Sequence, residues 1–338
     1  MLAIIQNPKL LAGFLAAIAV VIIVIVIFMM IRGDDALGKI VYASEGDLGI
    51  RVYLLDGADE DPVSLMKDIT SIKDLIRSPS DDQTLVIADT GDGMAITLLF
   101  DDPDLSANTN DIDSDPLGIT WAPDGQGFAF AARDDDGLYS IMISNDGSSF
   151  TSLLSNSESV PTLGGWSSNF DWFTYALTGD PETQGVYIKD PDGVNILRLT
   201  GGVDFSPRWS PNGERIAYLS QDDDGAISIF VIYQDGSGPI EISGISENVP
   251  THNWSSNSER LVFVNDLDIF TIGADGEDMV QLTVNNSSEV DPQWSKDGSE
   301  ILFSSDTNGD FDLFVMNADG SDQRRVSRTS DDEMLADW

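Results

Sequence analysis

The sequence predicts an all-β ring of four-stranded antiparallel blades, seven by the preferred count and six by the alternative. Three observations predict it. Tryptophans recur at a nearly constant interval, each followed by similar turn chemistry. The stretches between them read as short apolar strands broken by Gly, Asn and Asp. The final residue, Trp338, begins a repeat that the chain's own first strands are placed to complete.

The repeats are ITWAPDGQGFAFAA from Ile119, GGWSSNFDWFTYAL from Gly164, PRWSPNGERIAYLS from Pro207, HNWSSNSERLVFVN from His252 and PQWSKDGSEILFSS from Pro292. Their anchors are Trp121, Trp166, Trp209, Trp254 and Trp294, spaced by 45, 43, 45 and 40 residues, with Trp338 following after 44. A degenerate copy, IRSPSDDQTLVIAD, places Arg77 where the tryptophan would stand. Within each repeat a first strand ends near the tryptophan and a polar turn leads to an apolar second strand. An acidic, glycine-containing loop precedes a third strand, and an Asp-Gly turn a short outer one. Asn-Gly and Asp-Gly supply the left-handed backbone positions that tight hairpins need. A large, amphipathic indole at the same place in every blade is read as a seal between neighbours.

Residues 39–67 hold three strands with no preceding tryptophan: GKIVYAS, RVYLLDG and PVSLMK. Read as strands two to four of a blade, they are completed by the strand ending at Trp338. Closing the ring in this way removes open sheet edges. The count is then seven, or six if the Arg77 copy is only a connection. A helical period is allowed at one place after residue 40, around Leu65–Ile76.

Ahead of the repeats, a short tail over residues 1–9 leads into Leu10–Ile31, an uncharged run that would reach about 33 Å as a helix and so match a hydrocarbon core of about 30 Å. It ends in Phe28-Met29-Met30-Ile31-Arg32, without the small residues of a cleavage site, and is read as a retained signal-anchor rather than a cleaved signal. The reading places the amino terminus in the cytoplasm and the domain over residues 39–338 on the extracytoplasmic side. The linker, residues 32–38, spans at most about 25 Å, which holds the ring close to the bilayer.

The chain has 17 basic and 58 acidic residues, a formal charge of -41. That excludes nucleic-acid binding, which needs basic patches. The acidity has three readings: turn chemistry, a saline habitat, or a cationic partner or ion. The absence of cysteine excludes disulfides, thiolate zinc sites and cysteine nucleophiles, and the single histidine, His252, excludes a histidine-rich metal cage.

The phrases PRWSPNGERIAYLS…ISIFVIYQDGSGPIEIS and PQWSKDGSEILFSSDTNGDFDLFVMNADGSDQRRVS resemble the repeats of the TolB-type β-propeller family, whose unit runs Trp-Ser-Pro-Asp-Gly, an apolar strand, then a strand ending in an Asp-Gly turn. The resemblance covers residues 39–338 and is strongest from 206 onward. It implies an extracytoplasmic propeller that acts by protein–protein contact. The sequence departs from that pattern in retaining an apolar N-terminal segment and in showing no α/β domain before the repeats.

Candidate chemistry is sparse. Acidic loops at Asp134-Asp135-Asp136, at Asp222-Asp223-Asp224 and from Asp306 to Asp312 are expected on one edge of the ring, with Asp111, Asp113, Asp115, Glu247, Glu289, Asp291, Asp331, Asp332 and Glu333 beside them. Asp306, Asn308, Asp310 and Asp312 alternate oxygen-bearing side chains as a calcium loop begins, which makes Ca²⁺ the one candidate cofactor. No catalytic residue is identified. A serine triad would depend on His252, and no Gly-x-Ser-x-Gly elbow accompanies the repeats. The expected function is a non-enzymatic, membrane-anchored scaffold or accessory subunit that docks other cell-envelope proteins. The alternatives are a calcium-dependent ligand-binding protein and an enzyme using channel carboxylates.

Overall fold

The computed structural model describes residues 38–338 apart from 48, 58–60, 81, 103–106, 113–114, 145–148, 191–193, 246–250 and 328–330. The segment 10–31, read as an anchor, lies outside the described residues, as do the tail and all but the last residue of the linker.

The described chain is all strand. It begins with β1 (Lys39–Gly46), β2 (Gly49–Asp56) and β3 (Val63–Ile69). Blade 2 holds β4 (Ser71–Arg77), β5 (Gln83–Asp89), β6 (Met94–Phe100) and β7 (Asn108–Asp111). Blade 3 holds β8 (Asp115–Trp121), β9 (Phe128–Arg133), β10 (Tyr139–Ser144) and β11 (Thr151–Ser157). Blade 4 holds β12 (Val160–Trp166), β13 (Phe173–Thr178), β14 (Gly185–Lys189) and β15 (Ile196–Arg198). Blade 5 holds β16 (Val203–Trp209), β17 (Arg215–Gln221), β18 (Ile227–Tyr233) and β19 (Ile240–Ile245). Blade 6 holds β20 (His252–Trp254), β21 (Arg260–Asn265), β22 (Asp268–Gly273) and β23 (Val280–Gln281). Blade 7 holds β24 (Glu289–Trp294), β25 (Glu300–Ser305), β26 (Asp312–Asn317) and β27 (Arg324–Arg325). The last strand, β28 (Asp332–Asp337), returns to pair antiparallel with β1 and completes blade 1 in the order β28-β1-β2-β3.

The ring therefore has seven blades and closes as the position of Trp338 requires. The six-bladed alternative falls because the Arg77 copy forms a full four-stranded sheet. The helical reading of Leu65–Ile76 falls too. Its two halves are β3 and β4, separated at Thr70, because each half is finished as a strand by a different blade.

The middle of each second strand is buried because both of its faces are covered by neighbouring blades. Five successive residues are buried in β1, β5, β9 and β13. The core is accordingly seven separate clusters, each drawn from two adjacent blades. In five blades an aromatic on the second strand stacks on its register partner in the third: Tyr42 on Tyr53, Tyr175 on Tyr187, Tyr218 on Phe230, Phe263 on Phe270 and Phe303 on Phe314. Such pairs add about 0.5–1.5 kcal/mol beyond the area they bury.

The turns after Trp166, Trp209, Trp254 and Trp294 are built on a buried serine. Ser210 Oγ donates to Asn212 Oδ1 (2.7 Å) and accepts from the Arg215 amide (3.0 Å). Ser167, Ser255 and Ser295 repeat the arrangement. The next residue but two needs a positive φ, and Gly125, Gly213 and Gly298 meet it at 67°, 74° and 72°. Phe170 holds that position in blade 4 at φ 61° with its ring partly exposed. A side chain there costs roughly 1–2 kcal/mol, so Phe170→Gly is expected to stabilise the protein by about 1 kcal/mol in a denaturant titration.

Candidate functional site: the central channel

The innermost strands surround the ring axis, and most of them are kinked. Register shifts interrupt their pairing with the second strand at Ile72/Asp74, Pro116/Gly118, Leu163/Gly165, Phe205/Arg208 and Val290/Gln293, and β1 and β28 show another. A bulge bends its strand and re-aims the next side chain. These kinks turn the residues just before each tryptophan position towards the axis or the adjacent blade.

Hydrogen bonds then link inner strand to inner strand. Asp74 Oδ2 accepts from the Ile119 amide (3.0 Å), Asp337 Oδ2 from the Arg77 amide (2.8 Å) and Thr162 Oγ1 from the Ser206 amide (3.0 Å). The Asn253 and Gln293 side-chain amides donate to the Pro292 and Ala336 carbonyls. The tryptophans add to this belt, as expected of a seal. Indole N–H groups of Trp121, Trp254 and Trp338 donate to the carbonyls of Ile76, Arg208 and Gln293 in the preceding blade. Trp209 is equally buried and Trp166 and Trp294 half-buried; the indole nitrogens of Trp209 and Trp294 have no hydrogen-bond partner among the described residues. Arg77 takes the tryptophan's place by another means: its guanidinium forms a bidentate pair with Asp101 (3.1 Å to each oxygen), which also binds Lys39 (2.9 Å).

One charged side chain in the channel stands apart. Arg208, on β16, is exposed to the channel yet desolvated enough that burial pulls its guanidinium below the usual pKa; Asp74, Asp337 and Asp291 pull it back up. Burial raises all three carboxyls in turn, and Asp337 reaches about 6 despite two backbone amides and the Arg77 charge. A cavity of about 340 Å³ lies against Arg208, walled by the inner strands of blades 2 to 5.

This arrangement fixes a pH dependence. Asp337 holds its proton more tightly in the folded state than in the unfolded chain, whose aspartates titrate near 4. Stability is therefore expected to fall as pH rises from about 4 to 6, a window that Asp337→Asn should flatten in melting curves taken across it. Asp101 acts in the opposite sense: burial would raise its carboxyl, but the hydrogen bonds from Arg77 and Lys39 outweigh that and hold it low, so its contribution is lost as pH falls below the usual carboxylate range.

Other residues singled out in the sequence fall elsewhere. His252 is buried between blades 5 and 6, with one ring nitrogen bonded to the Ala217 carbonyl. Burial above all, then the Arg208 charge, pushes its pKa down to about 3, so the imidazole is neutral and shut away from the channel. Of the residues in the calcium reading, Asp306, Asn308 and Asp310 lie on the loop between β25 and β26, and Asp312 opens β26. Asp312 is buried against Arg325 and also accepts from Asn308, whereas Asp306 accepts from the Ser288 amide. Asp310 is exposed on the turn, and among the described residues no group of three His, Cys, Asp or Glu could hold a metal ion. The acidic loops do lie on one edge, but the opposite edge carries Asp124, Asp171, Glu214, Asp235, Asp275 and Asp319, so the charge is not one-sided. Much of it is turn chemistry: Asp89, Asp134, Asp222, Asp235 and Asp319 all cap amides of their own loops.

Sequence reasoning missed Arg208, Asp74 and Asp337 as a group. Each stands within three residues of a tryptophan position, but only the closed ring brings these blades face to face.

A family model described as the TolB beta propeller domain (PD40) matches residues 172–338. A TolB homolog from Chlorobium luteolum is 30% identical over 183 residues, covering 52% of this chain and 41% of its own length. The Tol-Pal system protein TolB of Bordetella pertussis is 29% identical over 160 residues, 41% of this chain and 33% of its own. The chain thus spans less than half the length of these two relatives. Among solved structures, an oligogalacturonate lyase in complex with manganese superposes with a TM-score of 0.66 at 14% identity, over 82% of this chain and 85% of its own, a likeness of fold alone. The chain is thus a closed seven-bladed propeller whose residues 172–338 match the TolB beta propeller domain.

Proposed function

We propose that the protein is a non-enzymatic, membrane-anchored propeller that docks other cell-envelope proteins, as a scaffold or as an accessory subunit of a membrane complex. The observation that carries this reading is the pairing of a TolB-type ring with the uncharged run Leu10–Ile31 only seven residues ahead of its first strand. The relative from Bordetella pertussis is named for the Tol-Pal system, which favours protein partners over small substrates. The buried, neutral state of His252 fits a non-catalytic ring. In this reading residues 10–31 cross the membrane, the amino terminus is cytoplasmic and the ring is extracytoplasmic.

Co-purification tests the proposal. The full chain, drawn from native membranes in mild detergent, is expected to resist extraction by high salt and to bring down at least one envelope protein in near-equal amount. Recovery of the protein alone, or its release by salt, would contradict it.

A further inference from the structure

The cavity beside Arg208 has a polarity that the docking role does not use. Its lining includes the polar side chains of Asp74, Thr120, Thr162, Ser206 and Arg208, of which Asp74 and Thr162 are already engaged. Both oxygens of Asp74 accept backbone amides, from Leu75 and Ile119, and Thr162 accepts from Ser206. The Arg208 guanidinium makes no hydrogen bond or ion pair to any described residue; its carboxylate neighbours act on it only at longer range. Five donors in a planar fork therefore face open space. Among the other lining residues, Ile76, Leu117, Pro161 and Leu163 offer apolar contact on the side away from Arg208's own strand.

Charge narrows what fits. A simple anion drawn to Arg208 would also meet Asp74 in the same wall, with Asp291 and Asp337 acting from outside it, and a simple cation drawn to Asp74 would meet Arg208. A ligand carrying both charges meets neither penalty if it aligns with the existing pair. The volume of about 340 Å³ is at the small end of ligand pockets and equals roughly ten waters of liquid. We propose that this sector of the channel is a binding site for a small zwitterion, an α-amino acid with an apolar side chain. Its carboxylate is held by the Arg208 fork, its ammonium faces Asp74, which retains lone pairs beyond those used by the two amides, and its side chain lies against Leu117 and Leu163. The site stands on the channel geometry alone and is independent of the docking role.

Calorimetric titration of the full chain in mild detergent tests it, with L-leucine and L-phenylalanine as probes. At least one is expected to bind saturably at a single site. Its amide, which lacks the carboxylate, and its N-acetyl form, which lacks the ammonium, should each bind at least tenfold more weakly. Arg208→Met should abolish binding, and so should Leu117→Trp, which fills the cavity without touching the charges. Melting temperatures close to that of the parent would show that both variants are folded. No saturable heat from either amino acid at tens of millimolar, equal binding of the N-acetyl form, or undiminished binding to a folded Arg208→Met chain would overturn the proposal.

Discussion

Deleting residues 332–338 is expected to abolish cooperative folding of the ring rather than merely weaken it. Those residues are the first strand of blade 1, paired with β1 through partners that include Val41 with Asp337 and Glu45 with Asp332. Their loss removes Trp338 from the cluster that joins Ile40, Tyr42 and Leu55 to Leu302, Leu313 and Val315 across the blade 7 boundary. It also removes Asp337, which accepts the Arg77 amide from blade 2. One strand thus holds blade 1 to both of its neighbours, and without it β1 becomes an open edge that invites aggregation. The single change Trp338→Ala leaves the strand but empties the cluster, and should cost about 3–5 kcal/mol in chemical denaturation. Because the chain has no cysteine, a Glu45→Cys/Asp332→Cys pair offers a clean check, both positions being exposed register partners. It should form a disulfide that links the first and last strands.

The second large effect is expected at the blade that lacks a tryptophan. Arg77 and Asp101 have side chains 1% and 12% exposed, and their bidentate pair fills the place of an indole. Removing one partner strands a buried charge, so Asp101→Ala should destabilise the protein by about 3–5 kcal/mol. Replacing both together, as Arg77→Met with Asp101→Leu, keeps the volume and removes the charges. That double variant should lose far less than the single one. A single-variant cost below about 1 kcal/mol would show that the pair does not carry the interface.

These two sites show where the sequence was readable and where it was not. The ring was legible because its determinants are local or periodic. The tryptophan interval, the serine-led turn and the orphan strands before residue 67 each repeat a unit already seen, and Trp338 identifies the closing strand. The Arg77 blade was legible as a repeat, but its chemistry was not, because Asp101 is 24 residues away on an unremarkable loop. Leu65–Ile76 carried a helix-like period because it joins the outermost strand of one blade to the innermost of the next, whose burial patterns differ. The alternating oxygens in Asp306–Asp312 were legible as a pattern, but the ion pair from Arg325 to Asp312 was not, because the two lie on different strands. Arg208 was hidden for a topological reason. Its neighbours Asp74, Asp291 and Asp337 come from blades 2, 7 and 1, and nothing local in the chain connects them.

The same ring places two kinds of surface within reach of a partner. The loops between second and third strands, with Asp135 and Asp223, lie on one edge; the turns after the tryptophans, with Ser168 and Lys296, lie on the other, and all four residues are exposed. Since carboxylates are abundant on both edges, charge alone does not select the docking face, and a partner must be located by position. The most direct test is a photo-crosslinking residue placed singly at Asp135, Asp223, Ser168 and Lys296 in the full chain in its native membrane. Positions on one edge are expected to capture the same envelope protein while those on the other edge capture none. Absence of any adduct from all four positions, or equal capture of many unrelated proteins by every one of them, would contradict a docking propeller.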